Sequence, residues 1–207
     1  MQEETSAQDL RERLALIESM IAEGRRRTQS WGWVFLLWGV AYCVAIVWST
    51  RGRDLSVWSS ADSLAWPLTM SVALVVTMII GIRKSRGQPV TTVGRAIGAF
   101  WTCVGISMLV VFPTLAISGR LDEHVFVALV AAMLGAANGA SGMILRWKWQ
   151  VACAIAWWVT SAAACFGSVA RATALFLAAI FVCQIVFGIY AMILEARRGG
   201  TRGVVHV

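Results

Sequence analysis

The segment from Asp122 to Trp147, DEHVFVALVAAMLGAANGASGMILRW, constrains this chain more than any other, because its charges stand at the two ends and the run between them is apolar. At about 1.5 Å per residue, roughly 20 apolar residues in a helix cover the ~30 Å hydrocarbon of a bilayer, so the run predicts a membrane-crossing helix. Ala128, Ala132, Gly135, Gly139 and Gly142 recur along it at helical spacing. Small residues in that pattern let membrane helices meet backbone to backbone, and Gly135-x-x-x-Gly139 is its sharpest instance. Asn138 lies beside the stripe and carries one amide to depth. The expectation is the central helix of a bundle.

The remainder of the chain has the same character. Of its 207 residues, 58% are hydrophobic and 14% charged, whereas soluble domains average about 45–50% and about 25%. This composition predicts an all-α, polytopic membrane helix bundle whose main partner is the lipid bilayer. The net charge of +7 would suggest nucleic acid in a soluble chain. Here the basic residues stand between apolar runs, where they set orientation, and a nucleic-acid partner is set aside. Cys43, Cys103, Cys153, Cys165 and Cys183 all lie inside apolar runs, without C-x-x-C or a Cys/His cluster. They read as small buried apolar residues, and no cofactor is implied.

The apolar runs predict six transmembrane helices, at roughly Trp33 to Thr50, Ser63 to Ile82, Arg95 to Ile117, Asp122 to Leu145, Trp149 to Ser168 and Ala172 to Leu194. Residues 1–30 are polar and contain no apolar core of signal-peptide length, so the first run is expected to be retained as an anchor. Three parts follow: a cytoplasmic segment 1–30, a six-helix domain 31–196 and a cytoplasmic tail 197–207. Fourteen of the eighteen Lys and Arg residues fall on one side of this layout, with only Arg51, Arg53, Arg120 and Arg171 opposite. The positive-inside rule then places both termini in the cytoplasm. Trp31, Trp33, Trp147 and Trp149 would mark the inner interface, and Trp48, Trp58 and Trp66 the outer one. Trp157 and Trp158 lie about 14 Å beyond Lys148, too deep for such a belt, and are expected to pack inside the bundle or line a greasy pocket. Pro113 is expected to kink the third span. Thr77 to Ile80, Gly142 to Leu145 and Ala191 to Leu194 echo one another at span ends, as three parallel hairpins would.

Ahead of the first span, Ser6 to Asp9 reads as a capping box with Asp in place of Glu. It would open an amphipathic helix carrying Leu10, Leu14, Ile17 and Ile21 on one face. Such a helix lies on headgroups, folds back on its bundle, or docks a cytoplasmic protein through residues 8–24. Ile17-Glu18-Ser19-Met20-Ile21, then Arg25 to Arg27, then Phe35-Leu36-Leu37-Trp38-Gly39 resemble the start of an uncharacterised family of small multi-pass bacterial membrane proteins. That family shares an I-E-x-M-I segment, a basic stretch and an F-L-L-W-G opening, and the resemblance covers residues 14 to 40. It implies the bacterial inner (cytoplasmic) membrane. Its members are often encoded beside small helix-turn-helix regulators, which implies a cytoplasmic partner but no activity.

Candidate functional residues are few. No ionisable side chain stands between the bounding charges of any expected span. That argues against a proton relay, pump or voltage sensor, each of which needs such groups at depth. No P-loop, nucleophile elbow or H-E-x-x-H occurs, and the expectation is a non-enzymatic protein. Asp122, Glu123 and His124 could bind a divalent metal or, as solvated turns commonly do, cap the helix that follows. Asn138 and Gln184 are the deepest strong hydrogen-bonding side chains; with Trp157, Trp158, Gly135 and Gly139 they form the candidate intramembrane site. The amides are expected to pair between helices or to recognise a substrate. Two functions fit: a regulatory or scaffolding module with a cytoplasmic partner, or a carrier of a neutral or lipidic molecule. The small-residue stripe would serve contacts within one chain or between copies in a homo-oligomer.

Overall fold

The computed structural model describes residues 2–29, 31–51, 65–85 and 92–202, and among them no strand occurs. The helices are α1 (Gln2–Gln29), α2 (Gly32–Arg51), α3 (Ala65–Ser85), α4 (Thr92–Ile117), α5 (Glu123–Ile144) and α6 (Lys148–Ala164). A last helix joins α7 (Val169–Ile180), a π segment (Phe181–Val186) and α8 (Phe187–Arg202). Five stretches are long and apolar enough to cross a membrane: α2, α3, α4, α5 and Val169–Arg197 of the last helix. The chain is an all-helical, multi-pass membrane protein. The remaining expected span is α6, whose 17 residues lie at the short limit for a crossing.

Helix α1 starts earlier than its sequence signals suggest. It is already formed at Gln2, so Ser6 to Asp9 lies within it instead of capping it. Residues 2–9 contain no Gly or Pro, and their Gln and Glu are good helix formers, so nothing halts the helix there. Leu16 is exposed together with Leu10, Leu14 and Ile17, so the apolar residues are not confined to one face. Asp9 and Arg13 form an exposed i,i+4 ion pair at 3.0 Å, of the kind that adds little to stability. The expectations for Trp58 and for the start of the second span at Ser63 lie outside the described residues.

The chain divides into two compact units, Met1–Gln29 with Val90–Cys165, and Ser30–Pro89 with Phe166–Val207. The first unit is built on the pair α5 and α6, the most extensive helix contact in the chain. Asp122 starts α5, its Oδ1 accepting from the Val125 N–H at 2.8 Å. The helix ends in a Schellman motif. Trp147 N–H donates to the Gly142 carbonyl and Arg146 N–H to that of Met143, with Arg146 at φ 51°. A residue other than glycine in the left-handed region is uncommon, and the sequence shows no glycine here to announce the turn. Because α6 resumes at Lys148, the link is three residues long and the helices must run antiparallel. Along them Gly142 faces Val151, Gly139 faces Ala154 and Trp158, Ala128 faces Ser161, and His124 faces Ala164. The tight link also buries Trp147, expected in the interfacial belt, while Trp31 and Trp149 remain exposed. Helix α4 joins this unit through Trp101, whose Nε1 donates to Ser141 Oγ at 3.0 Å. It continues through Pro113 to Ile117 as one helix, and Ile97 is its one buried residue among those described.

In the second unit α2 packs against α3 and the last helix. Gly32 and Gly188 form the closest approach. A Cβ added at Gly32 would stand 2.7 Å from the Gly188 carbonyl oxygen, and one at Gly188 would stand 2.9 Å from that of Gly32. Two turns along, Gly39 receives the Cβ of Gln184. Trp38 Nε1 donates to Thr77 Oγ1 at 3.1 Å and ties α2 to α3. Phe35 meets Phe187 edge to face at 5.2 Å between centroids, and Tyr42 meets Phe176 likewise at 5.9 Å.

Candidate functional site

Five of the six candidate residues fall on α5 and α6; Gln184 falls in the other unit. The glycines are filled differently from the expectation. A Cβ at Gly135 would stand 2.5 Å from Trp158 Nε1, and one at Gly139 2.9 Å from Trp158 Cη2. The Gly135-x-x-x-Gly139 notch therefore holds a flat indole ring in place of a partner helix backbone. The backbones meet at Gly142, where an added Cβ would lie 2.9 Å from Val151 N. Trp158 is 43% exposed along its remaining surface, while Trp157 is fully buried.

Asn138 is buried, but its amide turns back on its own helix. Nδ2 donates to the Leu134 carbonyl at 2.9 Å, and Oδ1 has no partner among the described residues. Gln150, which sequence reasoning passed over, is equally buried, and neither of its amide atoms finds a partner. Two residues after Lys148 it reads as an interfacial polar residue, and only the three-residue link carries it inside. A buried unpaired polar group costs roughly 1–3 kcal/mol, and few survive in folded proteins, so each one calls for a physical reason. Hydrogen bonds between helices come from less conspicuous side chains. Ser161 Oγ, able in principle to bond back within its own helix as Thr160 does, instead donates across to the Ala128 carbonyl at 2.8 Å.

The polar group at the start of α5 is engaged in structure. Asp122 caps the helix, and His124 Nδ1–H donates to the Ala164 carbonyl at 2.7 Å, which fixes the proton on Nδ1 because a carbonyl only accepts. Among the described residues no group of three His, Cys, Asp or Glu is placed to hold a metal.

Gln184 occupies the π segment. Beside Gly39 it is buried, 3% exposed. The structure thus supplies two buried amides with open hydrogen-bonding capacity, Asn138 and Gln150. Comparison with protein-family models, with curated proteins and with solved structures gives no match.

Proposed function

We propose that this chain is a non-enzymatic regulatory or scaffolding module that receives a soluble protein on its N-terminal helix from the cytoplasmic side of a bacterial inner membrane. The observation that carries the reading is the state of α1. Leu10, Leu14 and Ile17 recur at helical spacing and are 59%, 60% and 53% exposed. An apolar row offered in this way is what a helix-in-groove partner takes. Six crossings and two cytoplasmic termini accompany the proposal. In support, α6 retraces α5 from Gly142–Val151 to His124–Ala164, and its 17 residues extend about 25 Å. The arginine distribution supports the orientation, and the resemblance at residues 14 to 40 points to a small helix-turn-helix regulator as the partner.

A photo-crosslinking residue placed at Leu14 in cells tests this reading. It is expected to capture a soluble protein, and Ile17→Asp is expected to reduce that product at least about tenfold, as loss of one buried anchor does. Cross-links to lipid alone, or labelling of either tail from outside the cell, would overturn the proposal.

Carriage of a neutral or lipidic molecule is a second reading, favoured by the unpaired Asn138 Oδ1 and Gln150 amide. In a chain freed of its five native cysteines, Asn138→Cys should then react with a water-soluble methanethiosulfonate from at least one side of the membrane. Protection from both sides removes carriage.

A further inference from the structure

We propose that α1 pairs in parallel with the α1 of a second copy of this chain in the same membrane, and that this pairing covers the apolar row which a soluble protein must reach. The consequence for the soluble partner rests on the docking reading above; the pairing is a property of α1 alone.

Ala7, Leu10, Leu14, Ile17 and Ile21 follow one another at intervals of three, four, three and four. That alternation is a heptad seam, with Ala7, Leu14 and Ile21 at a and Leu10 and Ile17 at d. Glu3 and Gly24 stand where the neighbouring d residues would be, so the seam is two heptads long. Every side chain from Gln8 to Ser19 is exposed, those of the seam included. A helix in a protein owes most of its stability to an apolar face packed against a neighbour. Over these three turns α1 has no such cover, and a helix laid along the seam supplies it.

Charge selects the occupant. Residues 2–24 carry six acidic side chains and two basic ones. Helices that lie on a bilayer are rich in Lys and Arg, and anionic lipid repels an acidic one. The flanks of the seam instead complement a second copy of themselves. In a parallel pair the g residue of one helix meets the e residue five positions further on in the other, and here g is Arg13 and e is Glu18. The two helices therefore bring Arg13 against Glu18 twice, once on each side of the seam. Asp9 and Glu12, at c and f, fall on the outer side. Asp9 holds Arg13 within its own helix at 3.0 Å, and the guanidinium, with five N–H donors, keeps others for the second copy's Glu18.

The membrane fixes the geometry. Copies inserted in one orientation present α1 on the same side and at the same height, which imposes the parallel, in-register arrangement that the charges require. Two heptads are short for association in free solution, and confinement to one bilayer raises the effective concentration. A soluble protein that takes the Leu10, Leu14 and Ile17 row must displace the second copy, so pairing sets the threshold for docking.

The test uses the full chain freed of its five native cysteines, purified and reconstituted at low density in vesicles of phosphatidylethanolamine and phosphatidylglycerol. Ala7→Cys, on the seam at a, is expected to give a disulfide-linked dimer under mild oxidation, and Ala15→Cys, on the outer b position, at least about fivefold less. Glu18→Arg sets arginine against arginine on both sides and should cut the Ala7→Cys product about 3- to 10-fold, and adding Arg13→Glu should restore it. Equal products at the two cysteines, no product, or a double reversal no better than Glu18→Arg would overturn the pairing. The vesicles contain this chain alone, so these outcomes are separate from the capture of a soluble protein at Leu14 in cells, and failure of that capture would leave them unchanged.

Discussion

Gly32→Ala is expected to destabilise the protein by about 3 kcal/mol, near the upper end for inserting a methyl group into a packed interface, and to lower its melting temperature by roughly 10 °C. The new Cβ would stand 2.7 Å from the Gly188 carbonyl oxygen and 2.9 Å from Met192 N. Backbone atoms cannot swing aside as a side chain can, so α2 and α8 must separate, and the Phe35–Phe187 contact opens with them. Gly188→Ala meets the Gly32 oxygen and Leu36 N and should cost a similar amount. Gly105→Ala is the control. Nothing lies within 4 Å of the position its Cβ would take, so it should be neutral or gain about 0.5–1 kcal/mol from helix propensity. Thermal unfolding of the three variants in one detergent decides the point, and equal melting temperatures would show that the two glycines do not touch.

The second large effect is a coupling. Gly135→Ala puts a methyl group where the Trp158 indole lies, and Trp158→Ala empties the notch. Each alone should be costly, Trp158→Ala by about 2–3 kcal/mol, less than the 3–5 kcal/mol of a fully buried tryptophan because part of the ring is already exposed. Gly135→Ala is bounded by the same figure, since the ring can leave the notch at the cost of its contacts. In the double variant the methyl meets no ring, so the losses should fall short of additivity by roughly 1–3 kcal/mol, as they do for residues in contact. A double-mutant cycle of unfolding free energies measures this. Additivity to within about 0.5 kcal/mol would place Trp158 away from the glycines.

These two cases show where sequence reasoning reaches and where it stops. Gly135-x-x-x-Gly139 was legible as a place of close approach, because only glycine leaves such a groove. What enters it was not. A helix backbone and an indole ring both fit, and the choice depends on the register of α6, set by the three-residue link and the left-handed Arg146 that no glycine signals. Gly32 and Gly188 are far apart in sequence and belong to no short motif, so their contact appears only when the helices are assembled. Asn138 and Gln184 were found because polar groups are rare in apolar runs. Gln150 was missed because its neighbour Lys148 made it look interfacial. Ser161 shows the same limit: its hydroxyl can bond back along its helix or across to the next, and only the nearness of the Ala128 carbonyl decides.

The class of this protein and five stretches long and apolar enough to cross a membrane were legible in hydropathy and charge spacing alone, since the transfer of an apolar helix into lipid depends on composition and length and not on its neighbours. Which side chain fills which groove, where the last helix widens into a π turn, and which amides remain without a partner were decided by the tertiary structure. Those features depend on distances of a few tenths of an ångström between segments remote in the chain, and no local pattern of residues encodes them.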